Sequence, residues 1–188
     1  MDKETEVKVK IGSIDRMSSM LKDAGFSKEE EYHERNVVID KDREMKDSDR
    51  LLRFRKTENS KKKQLFTYKG PRTGEMKTRE EIEFTVDIDS LSKVFERLSY
   101  STAFKYEKKR QVWKRDDLEV VLDDLPYIGL YMEIEGTRNQ IKALLNELDI
   151  QSDDTITKNY LELFESYKEE HDIEAEFMTW ESFELEEI

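Results

Sequence analysis

Hydrophobic and charged residues alternate in short segments along this chain, beginning near its N-terminus. Residues 4–10, ETEVKVK, place Glu4, Glu6, Lys8 and Lys10 at alternate positions, with small or β-branched residues between them. Because successive side chains of a strand point to opposite faces, this pattern predicts a strand with one wholly charged face. Such a face is either the solvated side of an edge strand or a surface on which carboxylates bind a divalent cation and lysines bind an anion.

Similar alternation predicts further strands, and apolar residues at helical spacing predict helices between and after them. The further strands are predicted at residues 30–40, 50–56, 63–70, 78–86, 102–115, 118–124 and 129–136. The helices are predicted at residues 13–25, 89–98, 137–148 and 156–171. Gly25 is expected to end the first helix, and Asp89 or Ser90 to cap the second.

The order of these elements predicts an α+β fold with an antiparallel sheet, because many strands follow one another through short connections. Polar residues on both faces of the strands do not suit a flat sheet packed on an apolar core. We therefore expect a closed antiparallel β-barrel or tunnel of about eight strands, with a polar interior and flanking helices.

Residues 1–170 are expected to form this domain, and residues 171–188 an acidic C-terminal extension. The extension spaces Phe177, Trp180 and Phe183 like one face of a helix. This spacing predicts a terminal helix packed on the barrel; a lid or a partner-binding segment is the alternative.

Charged residues recur at i, i+2 spacing in strand after strand. The recurring sets are Arg53 and Arg55; Arg79, Glu81 and Glu83; Lys108 and Arg110; and Glu133 and Glu135. One such strand is typical of a solvated sheet face, but a pattern shared by these four strands and the opening strand indicates an enclosed polar surface. Buried like charges are costly unless ligands or opposite charges compensate them. Acids that bind metal and bases that bind phosphate would supply that compensation.

The 188-residue chain has a formal net charge of −12, yet its basic residues cluster in two stretches. These stretches are residues 50–72 and 105–115. Proteins that bind nucleic acids usually carry a positive field, whereas locally positive segments in an acidic protein suit a small polyanion. We therefore expect no nucleic-acid partner.

The chain contains no cysteine, so hard cations on oxygen ligands are the metals that it can most easily bind. Its N-terminal segment is charged from Asp2 onward, and the chain has no long apolar run. We expect a cytoplasmic protein with no membrane partner.

Several motifs, taken in order, resemble those of the CYTH superfamily, which includes class IV adenylyl cyclases and triphosphate tunnel phosphohydrolases. The opening E-x-E-x-K motif alone is a weak signal, but the ordered set over roughly residues 4–165 is specific. The matching segments are ETEVK (Glu4, Glu6, Lys8), LLRFR (Arg53, Arg55), YKGP (Lys69), REEIE (Arg79, Glu81, Glu83), EKKR (Lys108, Arg110), LDDLPYIG (Asp123, Gly129), MEIE (Glu133, Glu135) and NYLELF (Tyr160).

This resemblance implies a tunnel that binds ATP or another triphosphate together with Mg²⁺ or Mn²⁺. The implied metal ligands are Glu4, Glu6, Asp123, Glu133 and Glu135, while Glu81 and Glu83 either join them or orient the basic groups. The implied substrate-binding residues are Lys8, Lys10, Arg53, Arg55, Lys69, Arg79, Lys108 and Arg110. The implied catalytic residues are Lys8, Lys108 and Arg110.

The resemblance leaves two reactions open. A class IV adenylyl cyclase converts ATP into cyclic AMP and pyrophosphate, whereas a phosphohydrolase directs water at the terminal phosphorus of an inorganic, thiamine or nucleoside triphosphate. Residues 98–113 are most similar to the cyclases, although Ser99 stands where they usually carry glycine. We therefore expect an adenylyl cyclase, with a triphosphatase as the alternative and a non-catalytic nucleotide- or polyphosphate-binding module as a third reading. Similarity to the cyclases also implies a homodimer.

Overall fold

The computed structural model describes residues 3–4, 6–60, 64–73 and 79–180, with the side chains of residues 3 and 4 excepted. The strands are β1 (Lys3–Glu4), β2 (Glu6–Lys10), β3 (Ser27–Asp40), β4 (Leu51–Glu58), β5 (Gln64–Lys69), β6 (Arg79–Thr85), β7 (Ser101–Arg115), β8 (Leu118–Leu125), β9 (Gly129–Glu135) and β10 (Thr155–Ile156). The helices are α1 (Ile14–Asp23), α2 (Glu44–Asp47), α3 (Ile88–Arg97), α4 (Arg138–Glu147) and α5 (Tyr160–His171), with a 3₁₀ turn at Ser152–Asp154.

All of these strands belong to one antiparallel sheet in the order β1-β6-β5-β4-β3-β7-β8-β9-β2-β10. The antiparallel sheet with flanking helices is therefore confirmed. The single strand predicted at residues 4–10 is two strands in the structure, because β1 pairs with β6 and β2 pairs with β9. Among the residues that the structure describes, no ladder joins β1 to β10, so the closed tunnel stays a prediction.

Local sequence signals account for the ends of the helices. The side chain of Ser13 caps α1 by accepting the backbone N–H of Arg16, and Gly25 follows the helix with a φ of +82°. The cap predicted for α3 was wrong: Asp87, not Asp89 or Ser90, is the N-cap, and its carboxylate accepts the N–H of Ser90. The helix begins early because β6 ends at residue 85 and leaves the Asp87 side chain to bond the first turn.

Apolar clusters cover the outer face of the sheet. One cluster packs α1 and α4 on β7, β8 and β9, and it includes Leu21, Trp113, Met132 and Leu144. A second lies under α3 and includes Phe54 and Phe66, on which the ring of Phe95 packs. These clusters orient the sheet, because the side chains that alternate with the apolar ones must point to the opposite, inner face.

A third cluster lies at one end of the inner face. Phe104, Tyr106 and Tyr131 follow the alternation of the inward charged residues, and Phe164 of α5 packs among them with no exposed area. Helix α5 therefore closes the apolar end of the polar face. The described part of the chain holds no helix that is both long and apolar enough to cross a membrane.

The segment after α5 is irregular rather than helical, and within the described residues a single bridge joins it to β7. Met178 pairs in parallel with Tyr106, donating its N–H to the carbonyl of Lys105 at 3.1 Å and accepting the N–H of Glu107 at 3.1 Å. β8 pairs with β7 only from Lys109 onward, so the earlier part of β7 has an edge to which this segment can add. The prediction of a terminal helix is therefore wrong for the residues from α5 to Trp180. Residues 181–188 lie outside the described chain.

Candidate active site on the inner sheet face

The strand register places the predicted site residues at positions of a single sheet face. Residues directly opposite each other in an antiparallel ladder share a face. The opposed pairs include Glu6 with Glu135, Lys8 with Glu133, Arg110 with Asp123, and Lys69 with Glu81. Arg53 and Glu83 both lie opposite Thr67. Arg55 and Lys10 lie two residues after Arg53 and Lys8 on the same strands, so they share this face. For Glu4 only the backbone is described, and it pairs with Arg79.

Two acids bind the three predicted catalytic bases at the centre of this face. Glu133 contacts Lys8 at 2.6 Å and Arg110 at 2.7 Å. Asp123 accepts Arg110 through both oxygens at 2.6 Å and Lys108 at 3.1 Å. Lys8, Lys108 and Asp123 are all buried, so the contacts lie out of bulk water.

These groups stay charged because they compensate one another. Burial by itself would raise the pKa of Glu133, but Lys8 and Arg110 attract the carboxylate and hold that pKa well below its usual range. Burial would likewise lower the pKa of Lys8, yet Glu133 and Glu6 raise it above the ordinary lysine value. Glu133 and Lys8 are therefore both ionised at neutral pH.

Glu34 is a central residue of the site that the sequence reasoning missed. It is fully buried, and its Oε1 lies 3.3 Å from Nε of Arg55 and 3.8 Å from Nζ of Lys108. Burial would raise its pKa, but Arg55 and Lys108 lower it far below the usual range. The alternation of Tyr32, Glu34 and Asn36 was the available signal; His33 and Arg35 obscured it, because they make the other face polar as well.

Glu81 and Glu83 were predicted either to bind metal or to orient basic groups. In this structure both contact basic side chains, which favours the second role. Glu83 lies 3.8 Å from Arg53 and 3.5 Å from Arg55, and Glu81 is paired with Lys69. Arg53 also donates to the hydroxyl oxygen of Tyr106 at 2.8 Å.

Nε of Arg53 and Nδ2 of Asn36 are buried donors on this face that have no hydrogen-bond partner within the described residues. An unsatisfied buried donor costs about 1–3 kcal/mol, so such groups in a polar interior point to a ligand that accepts hydrogen bonds.

The remaining predicted residues lie toward the edge of the face. Glu6 and Lys10 are exposed, whereas Glu135 and Arg79 are partly buried. Burial lowers the pKa of Arg79, an effect that the nearby Glu6 opposes.

The carboxylates fit a divalent metal by donor type but are not gathered around one point. Within the described residues, no group of three or more acidic or histidine side chains is arranged to hold a metal ion. Glu6 and Glu135 are nevertheless directly opposed, beside Glu133, and offer the oxygen ligands that Mg²⁺ and Mn²⁺ prefer. Donors occupy both oxygens of Asp123 in this structure, and its role as a metal ligand stays a prediction.

Comparisons to known proteins agree with the fold. The model of the CYTH domain family matches residues 2–181, and the chain belongs to this family. Proteins of the family bind triphosphate substrates and generally use divalent metal ions. The match includes the first residues of the predicted extension, and the domain boundary at residue 170 stays a prediction.

Individual proteins of known sequence or structure are also similar. A Methanocaldococcus jannaschii protein named "putative adenylate cyclase" is 31% identical over an alignment of 173 positions, which covers 85% of this chain and 97% of that protein. A structure of a "putative adenylate cyclase" from Vibrio parahaemolyticus aligns with a TM-score of 0.76 and 20% identity, over 87% of this chain and 98% of that one. A "putative adenylyl cyclase" from Hippeastrum, described as having a dominant triphosphatase activity, aligns with a TM-score of 0.62 and 17% identity, over 88% and 96% of the two chains.

Proposed function

We propose that this protein is a class IV adenylyl cyclase that converts ATP into cyclic AMP and pyrophosphate with Mg²⁺ or Mn²⁺. The observation that carries the proposal is the buried, ionised face on which Arg53 and Asn36 hold donors without hydrogen-bond partners among the described residues. Phosphate oxygens accept hydrogen bonds and carry negative charge. A triphosphate would therefore supply acceptors for these donors and a negative partner for the buried bases. The relative named as an adenylate cyclase favours the cyclase reaction.

The site is proposed to be the interior of a closed tunnel. β1 pairs with β6, and β2 pairs with β9, although one residue separates the two strands in the chain. A single N-terminal segment that bridges these distant strands would close the sheet, which explains how so many charged side chains become buried.

Substrate binding is proposed to exchange the partners of the bases. Lys8 and Arg110 both bind Glu133, and a triphosphate would take over these two bases while releasing that carboxylate. Glu6, Glu133 and Glu135 would then hold the metal ion, which supplies positive charge next to the phosphates. Like charges opposed across a ladder are unfavourable, and a cation between Glu6 and Glu135 would remove that repulsion.

Cyclisation would need positioning and charge stabilisation more than covalent catalysis. The ribose 3′-oxygen forms a bond to the α-phosphorus as the bond to the pyrophosphate oxygen breaks, and the hydroxyl proton is released. Arg110 and Lys108 are proposed to stabilise the charge that develops on the α-phosphate and on pyrophosphate. Loss of one such donor typically lowers kcat by about 10²–10³, which is the change that we expect for Arg110→Ala.

A triphosphatase is the second candidate. The Hippeastrum protein supports it, because this neighbour with a cyclase name is described as mainly a triphosphatase. A non-catalytic binding module is disfavoured, because binding an anion alone would not require so many acids beside the bases.

Product analysis tests the proposal. Wild-type protein is incubated with ATP and Mn²⁺, and separately with tripolyphosphate and thiamine triphosphate, and the products are separated by chromatography. Cyclic AMP and pyrophosphate are the expected products. If ADP and phosphate were the only products, the protein would be a phosphohydrolase and the cyclase proposal would be wrong. Arg97→Ala is the matched control for Arg110→Ala, since Arg97 is an exposed arginine at the end of α3.

We further propose that the protein is a cytoplasmic homodimer without a nucleic-acid or membrane partner. The family resemblance supports the dimer, and the negative net charge argues against nucleic acids. Light scattering on the purified protein measures its oligomeric state, and the same measurement with added DNA shows whether it binds nucleic acid.

A further inference from the structure

Tyr160 projects from the first turn of α5 into the charged network. Its hydroxyl donates a hydrogen bond of 2.8 Å to Oδ2 of Asp123. The Nζ atoms of Lys8 and Lys108 lie 4.5 Å and 5.2 Å from the centre of its ring. One side chain therefore contacts an acid and two bases of the candidate active site.

Asp123 connects Tyr160 to Arg110, the base that we expect to contribute most to turnover. It has no exposed area, and it accepts two hydrogen bonds from Arg110 and one from Lys108 in addition to that of Tyr160. A carboxylate that accepts several charged donors holds them in fixed orientations. The Tyr160 hydroxyl completes this set and fixes the carboxylate itself.

The proton of the Tyr160 hydroxyl remains in place. Burial raises the pKa of Tyr160 well above its ordinary value, and the nearby Asp123 and Glu133 carboxylates raise it further. The phenol thus stays a donor across the pH range in which enzymes of this kind are assayed, and its role is structural support rather than proton transfer.

The start of α5 is anchored independently of the tunnel. Asn159 and Glu162 form a reciprocal capping box, with backbone-to-side-chain distances of 2.7 and 2.8 Å. The Glu162 carboxylate also accepts Arg72, which in turn binds Asp49. These contacts fix the residue that immediately follows the cap, so Tyr160 enters the network from a rigid support.

We propose that Tyr160 is a positioning residue whose two parts act separately: its hydroxyl orients Arg110 through Asp123, and its ring restrains the ammonium groups of Lys8 and Lys108. Asp123 accordingly positions bases and is not a metal ligand. The inference rests on the proposed function, because it assigns these bases to a triphosphate. The negative face of an aromatic ring attracts ammonium groups, so the ring restrains two like charges that would otherwise repel.

The two roles predict different kinetic effects. Tyr160→Phe keeps the ring and removes the hydroxyl, so we expect kcat to fall about 10-fold, at the lower end of what a hydrogen bond to a charged group is worth. The KM for the triphosphate and the Mn²⁺ concentration for half-maximal activity should stay within about 2-fold. Tyr160→Leu also removes the ring, so the dissociation constant for tripolyphosphate should rise about 10-fold more than in Tyr160→Phe.

Calorimetric binding of tripolyphosphate without metal, and steady-state turnover with Mn²⁺, are measured for both variants. Tyr167→Phe, a hydroxyl removal two turns later on α5, is the control and should match wild type. If Tyr160→Leu does not fold, Tyr160→Met replaces it as the variant without a ring, because the longer, flexible methionine fills more of the space that the ring occupied.

Three outcomes would overturn the inference: Tyr160→Phe kinetics equal to wild type, equal losses in kcat and in affinity for both variants, or a raised Mn²⁺ requirement in Tyr160→Phe. Failure of the wild type to bind any triphosphate would refute the proposed function instead. The two failures are therefore distinguishable in the same set of measurements.

Discussion

Glu34→Gln is the most direct test of the buried charge network, because the substitution removes a charge and leaves the side-chain shape nearly unchanged. The Glu34 carboxylate lies 3.3 Å from Arg55 and 3.8 Å from Lys108. At an effective dielectric constant of about 20, these contacts correspond to about 5 and about 4 kcal/mol of attraction. Desolvation offsets much of that attraction, and removing one partner of a buried ion pair typically costs about 3–5 kcal/mol.

We therefore expect Glu34→Gln to lower the free energy of unfolding by about 3 kcal/mol at pH 7, since the amide can still accept hydrogen bonds. For a domain of this size, that loss lowers the Tm by roughly 10 °C. Urea unfolding followed by circular dichroism measures the difference. Glu31→Gln is the control: Glu31 is an exposed acid of the same strand, paired with Lys28, and its loss should cost less than about 1 kcal/mol.

The pH dependence provides a second check. The pKa of Glu34 is lowered in the folded protein, so its contribution is present above the unfolded value of about 4.3 and is lost as the pH falls through the folded pKa. The difference between wild type and Glu34→Gln should thus persist from pH 7 to pH 5. A difference below about 1 kcal/mol at pH 7, or one that vanishes near pH 6, would refute the assignment of a buried, ionised Glu34.

Three further results are expected. Glu6→Gln should abolish turnover with Mn²⁺ without changing the Tm, because an amide is a poorer ligand than a carboxylate and Glu6 is exposed; near wild-type activity would remove it from the metal site. Ser99→Gly should raise the free energy of unfolding by about 0.5–1 kcal/mol in urea titrations, because Ser99 has a φ of +68°; a loss of stability would contradict this reasoning. Glu107→Gln should cost about 1–3 kcal/mol and expose the segment before Trp180 to limited proteolysis, because the buried Glu107 carboxylate accepts the N–H of Trp180; unchanged protease resistance would argue against that anchor.

The sequence by itself determined the strands and the face on which most of the charges lie. Side-chain direction in a strand is a local property with a period of two, so the spacing of Lys108 with Arg110, or of Glu133 with Glu135, was enough to place each pair on one face. Helix ends are also local, and Gly25 follows α1 as predicted. The motif order then identified the family without any knowledge of the contacts.

Only the tertiary structure decided which charges meet. Glu133 contacts Lys8 and Arg110 because β9 pairs with β2 and, through β8, lies near β7, and no local pattern specifies those neighbours. Tyr160 illustrates the same limit, since its role depends on α5 docking at the end of a sheet whose strands come from distant parts of the chain. Glu34 was hidden because both faces of its strand are polar, and only burial, which is a property of the whole fold, distinguished the inner face from the outer one.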